Sequence, residues 1–154
     1  MVTGDLDRLD KRGFRPAFVG LLGGKPQFAF GHGLSYTTFS FGDVELSKTN
    51  LTGDETLLAS VRVTNTGERA GEENVQLYLS QPVASLTRSV EELRGFQKVR
   101  LQPGETKQVT FRITPDDLKF YNSKLESDWE PGQFIIRLGG DSSHLKSAPV
   151  VWNR

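Results

Sequence analysis

The chain has no cysteine, one methionine and two histidines. Disulfides, zinc–thiolate sites, iron–sulfur clusters and thiol nucleophiles are therefore excluded. It also lacks charge of one sign: 19 basic residues balance 19 acidic ones. No net field draws in nucleic acid or an anionic membrane, so neither is expected as a partner. No apolar run approaches the roughly 20 residues of a membrane-spanning helix. Met1 to Arg12 have no apolar core, so no signal peptide is expected in this chain. The compartment stays open: the chain is either cytoplasmic or a piece of a longer precursor. What is present is 154 residues with an apolar share of 36%, enough for one domain with its own core.

From Thr38 onward the apolar pattern has period two. Val61 and Val63 alternate with Arg62 and Thr64; Val75, Leu77 and Leu79 with Gln76, Tyr78 and Ser80; Val109, Phe111 and Ile113 with Thr110, Arg112 and Thr114. Phe134, Ile136 and Leu138 obey the same rule. Alternation puts one set on a buried face and the other toward water, which places Tyr78 outward. Turn residues separate these runs at Thr52-Gly53-Asp54, Asn65-Thr66-Gly67, Gln102-Pro103-Gly104, Glu130-Pro131-Gly132 and Asp141-Ser142-Ser143. A single helical turn is expected at Thr114 to Asp117, with Thr114 as cap and Pro115 at the first helical position. About seven or eight short strands without a long helix predict an all-β antiparallel fold, with a barrel as the alternative; the length and irregular turn spacing fit an immunoglobulin-like sandwich better. It would occupy 38–154, behind an extended lead-in of residues 1–37 punctuated by glycine and proline.

Phe28-Ala29-Phe30-Gly31-His32-Gly33-Leu34-Ser35-Tyr36-Thr37-Thr38-Phe39 resembles the start of the C-terminal fibronectin type III-like domain of glycoside hydrolase family 3, the β-glucosidase and β-xylosidase group. Later segments are similar to that family in the same order. They are Val63 to Gly67 with Gly71 and Val75 to Tyr78, Ser85 to Arg88 with Glu92 to Val99, Leu101 to Thr106, and Glu130 to Phe134. Together they reach from Phe28 to about Ser143. The chain departs from the family at Ala29 and Ser89, where proline is usual. It also departs at Ala17 to Lys25, which separates Asp10 to Pro16 from the signature. The resemblance implies that catalysis belongs to two larger upstream domains, an aspartate nucleophile on a barrel and an acid/base from the barrel or the next domain. It thus implies an accessory domain, inert by itself, whose partners are those catalytic domains in cis or in trans. Parents of this kind are often periplasmic or secreted.

The residues themselves offer little chemistry. Glu72-Glu73, Glu91-Glu92 and Asp116-Asp117 are adjacent carboxylates, but neighbours on a strand face opposite ways and do not converge on one sugar. His32 and His144 have no metal-ligand spacing, and Gly31-His32-Gly33 lacks the rest of a phosphate loop. Asp5, Asp7 and Asp10 lack the glycine and distal glutamate of a calcium loop. No catalytic residue, metal or cofactor is expected. Asn50-Leu51-Thr52 is a glycosylation sequon. Two alternatives to the accessory role remain. One is a carbohydrate-binding module for β-glycans, with Trp129, Trp152, Tyr78 and Tyr121 as a stacking platform. The other is a protein-interaction or homodimer domain using its exposed lead-in. Phe28, Phe30, Leu34, Tyr36 and Phe39 are expected to pack on the flank of the sandwich. Phe28, Phe30, His32 and Tyr36 would then make interdomain contacts in a longer enzyme. Arg88, in the loop Gln81 to Ser89, is a further candidate interdomain anchor because its guanidinium forks onto carboxylates or carbonyls.

Overall fold

The structure is a computed structural model that describes residues 28–86, 89 and 91–154. The alternating runs are strands. In one sheet β4 (Leu57–Asn65) is central, with β1 (Phe39–Phe41) and β2 (Glu45–Leu46) along one side and β7 (Thr106–Ile113) along the other, all antiparallel. The second sheet runs in the order β3 (Asn50–Thr52), β11 (Leu145–Asn153), β10 (Gly132–Gly139), β5 (Gly71–Ser80) and β6 (Glu92–Leu101). Its pairs are antiparallel except β3 with β11. The parallel pair departs from the expected all-antiparallel sheet. The chain leaves β2 in one sheet and joins the other at β3 within a few residues, so β3 runs alongside β11 rather than back against it.

The inward residues of both sheets form one core. Leu57, Ala59, Val61 and Val63 of β4 and Val109, Phe111 and Ile113 of β7 face Val75, Leu77, Leu79, Phe134, Ile136, Leu138, Val150 and Trp152. Each fully buried Leu, Ile or Phe contributes about 2 kcal/mol by leaving water. The expected helical turn is α1 (Pro115–Leu118). Asp117 folds back to accept hydrogen bonds from the Thr114 backbone N–H at 2.7 Å and its hydroxyl at 3.0 Å, and Leu118 plugs the core. A small hairpin of β8 (Phe120–Tyr121) and β9 (Ser127–Asp128) precedes β10.

Asn65 closes one end of the sandwich from full burial. Its Nδ2 donates to the carbonyls of Arg69 (2.7 Å) and Leu101 (3.2 Å). Its Oδ1 accepts from the Thr37 hydroxyl (2.7 Å) and the Gly67 N–H (3.1 Å). One side chain thus ties three separate stretches of chain to the end of β4.

Candidate docking surface

The described part of the lead-in lies across this same end. Thr37 is held by Asn65, and Gly67 and Gly71 leave it room: a Cβ on either would come within 2.2 to 2.4 Å of its side chain. The second anchor is Gly31. Its φ of +83° favours glycine, and a Cβ there would sit 2.1 Å from Gln76 Nε2. Gln76 donates to the Gly140 carbonyl at 2.9 Å and accepts from the Tyr78 hydroxyl, while the Ser142 N–H donates to the Phe30 carbonyl at 3.0 Å.

Around and between these anchors the aromatic and aliphatic side chains point away from the sandwich. Leu34 is 97% exposed and Tyr36 is 91% exposed, and Phe28 and Phe30 are also exposed. Phe28 stacks on the ring of His32 at 5.2 Å. The expectation that this set packs on the flank holds only for Phe39, which lies against the core. The reason is the floor beneath. The lead-in bridges a cleft of about 730 Å³ whose lining mixes Glu72, Glu73, Asn74, Asp141, His144 and Lys146 with Phe39, Phe41 and Leu145, and this mixed floor leaves Leu34 and Tyr36 uncovered.

The electrostatics of that cleft are set by burial and by Asp141. Glu73 is half-buried, and loss of water raises its pKa above the ordinary carboxylate value, helped by the charge of Asp141. Burial also works against the charge of Asp141. Hydrogen bonds from the His144 ring and from the backbone N–H groups of Ser143 and His144 outweigh it and hold that pKa low. Between its ordinary and raised values, Glu73 keeps a proton in the folded state that the unfolded chain releases. Stability therefore falls as pH rises through that window. Glu73→Gln is expected to raise the melting temperature near pH 7 and to leave it unchanged at about pH 3, where both states are protonated. Equal effects at both pH values would contradict this account of Glu73.

The proposed sugar-stacking platform is not assembled. Trp152 is fully buried, its indole N–H donating to the Gly53 carbonyl at 3.0 Å. Trp129 is buried edge-on against it at 6.5 Å, with the Arg154 guanidinium 5.4 Å from its ring centre. Neither offers a free face to a pyranose. Tyr78 does lie on the outer side of its sheet, but it is buried there, hydrogen-bonded to Gln76. Burial, with the charges of Glu91 and Asp141, raises the pKa of its phenol. Tyr121 alone of the four is open, at 72% exposure.

Five of the six adjacent carboxylates are engaged rather than convergent, and Glu73 is the one in the cleft. Glu72 pairs with Lys98, Glu91 with Arg137, Glu92 with Arg94, Asp116 with Lys119, and Asp117 caps α1. Among the described residues no group of three histidine or acidic side chains is arranged to hold a metal. His144 lies in the turn before β11, paired with Asp141. Arg88 lies outside the described residues. The described part of its loop is tied down: Ser85 donates its N–H and hydroxyl to the Glu130 carboxylate.

Sequence reasoning missed the outer face of the five-stranded sheet. Phe96 is 69% exposed on β6, and Leu93 and the loop residues Val83 and Leu86 are exposed too. Their signal was weak because β6 does not alternate cleanly. A bulge sets Leu77 opposite Gly95 but Tyr78 opposite Leu93, leaving Arg94 as the extra residue.

The fibronectin type III-like domain family matches residues 73–142. That stretch is a fibronectin type III-like domain. Several proteins similar to the chain are large glycosidases. A periplasmic β-glucosidase of Salmonella typhimurium is 47% identical over 121 residues, covering 79% of this chain and 16% of that protein. A β-xylosidase of Formosa agariphila is 42% identical over 135 residues, covering 83% of this chain and 19% of its own. The crystal structure of a Listeria innocua β-glucosidase with glucose superimposes with a TM-score of 0.80 at 37% identity, over 85% of this chain and 18% of that one. The fibronectin type III-like chain thus spans less than a fifth of each of these proteins, and the resemblance to family 3 glycoside hydrolases holds.

Proposed function

We propose that the chain is a non-catalytic accessory domain of a family 3 β-glycosidase, with 38–154 as the sandwich and 1–37 as its lead-in. It docks against the catalytic domains, stabilises them and bounds the cleft between them. The observation that carries this reading is the row Phe28, Phe30, Leu34 and Tyr36, held at Gly31 and Thr37 yet turned away from the domain's own core. Side chains of this size, fixed outward by glycine-backed anchors, are suited to an interface that another domain completes. The size of the chain relative to its relatives supports the same reading.

The test is retention of the purified chain on two columns, one bearing the catalytic portion of the Salmonella enzyme without its matching segment and one bearing β-glucans. Retention on the first, reduced at least tenfold by the double change Leu34→Ser and Tyr36→Ser, is expected. Retention on cellulose, laminarin or xylan, but not on the catalytic portion, would make the chain a binding module instead. Self-association without either would make it a homodimer domain.

A further inference from the structure

On the outer face of the five-stranded sheet, beside the Gln81–Leu86 stretch, lies a groove of about 700 Å³. Val83, Leu86 and Ile135 supply apolar walls, and Ser80, Ser89 and Arg137 supply polar groups. Arg137 sits on β10 directly across from the buried Tyr78. Glu91 reaches its guanidinium only at Nε, 3.5 Å away, and Nη1 is buried without a hydrogen-bond partner among the described residues. A guanidinium is always charged and presents a planar fork of donors that fits a carboxylate with two parallel bonds. The Arg137 side chain is 21% exposed and lines the groove, so the outer edge of its fork can take an arriving acceptor.

We infer that this groove is a docking site for an acidic side chain, with Arg137 as its polar anchor and Val83, Leu86 and Ile135 as its apolar walls. This rests on the accessory-domain reading, and the occupant is a carboxylate-bearing segment of the catalytic portion of the same enzyme. Charge complementarity selects the acidic occupant: the open donors are cationic. Apolar side chains around the anchor exclude water and strengthen the pair.

The experiment measures the affinity of the full chain for the catalytic portion of the Salmonella relative by calorimetry, at low and at physiological salt. Arg137→Gln and Arg137→Lys are each expected to weaken binding about tenfold or more, since lysine keeps the charge but not the fork. Circular dichroism checks that both remain folded. A second pair reads the sign of the occupant without touching the sheet. Val83 is exposed, so Val83→Lys should tighten binding and Val83→Asp should weaken it, with both differences shrinking as salt rises. Wild-type binding that is unchanged in the Arg137 variants, or weakened by Val83→Lys, overturns the groove while leaving the accessory reading intact. Absence of any binding by the wild-type chain overturns both.

Discussion

Trp152→Ala is expected to destabilise the domain by about 4 kcal/mol, the upper range for removing a buried aromatic side chain. The indole is fully buried at the end of β11, where Phe134, Ile136 and Val150 share its core. Its truncation removes three things together: a large apolar surface, the edge-on contact with Trp129, and the N–H that satisfies the Gly53 carbonyl. The sheet edge then loses support, because β3 is attached to the fold by pairing with this stretch of β11. Thermal denaturation should show a fall on the order of 15 °C. A fall of only a few degrees would mean that Trp152 is dispensable to packing and would reopen its role as a ligand platform. Loss of glycan retention in this variant would not by itself argue for sugar contact.

The second large effect is expected at Asn65. Asn65→Ala removes four hydrogen bonds at a fully buried position and strands two carbonyls and an N–H, at a cost of about 3 kcal/mol. Asn65→Asp should be at least as damaging, although it is nearly isosteric. Its carboxylate would face the Arg69 and Leu101 carbonyls that Nδ2 now serves, and a buried charge without a cation is costly. Because Thr37 is among the partners, both variants should also release the lead-in, seen as faster amide exchange at Ser35 to Thr38. Aspartate behaving like the wild type would contradict the hydrogen-bond account.

Where local chemistry decides, the sequence was legible. The β4, β7 and β10 runs alternate because each has one face on the core, and Thr114 to Asp117 forms its helical turn because cap, proline and acidic residue all lie within it. What could not be read depends on contacts between distant segments. Tyr78 points outward as its parity requires, yet Gln76 and its neighbours on the sheet bury it. Asn65 reads as a turn residue, while its role comes from Thr37 and Leu101 on either side in the chain. The lead-in aromatics read as flank packing because an apolar run is expected to find cover. Their actual position lies over a cleft whose floor mixes charged with apolar residues, which no local pattern announces. Arg137 was invisible for the same reason: its unfilled donor exists only once β5 and β10 are paired.

As an accessory domain, this sandwich would serve a catalytic portion outside its own fold. The most direct measurement is the half-life of β-glucosidase activity at elevated temperature for the Salmonella relative in three forms: intact, with its matching segment deleted, and with that segment replaced by this chain. The account predicts a short half-life on deletion, substantial recovery with the replacement, and loss of that recovery when Arg137→Gln or the Leu34→Ser, Tyr36→Ser pair is introduced. A replacement no more durable than the deletion, carrying a folded sandwich, would contradict it.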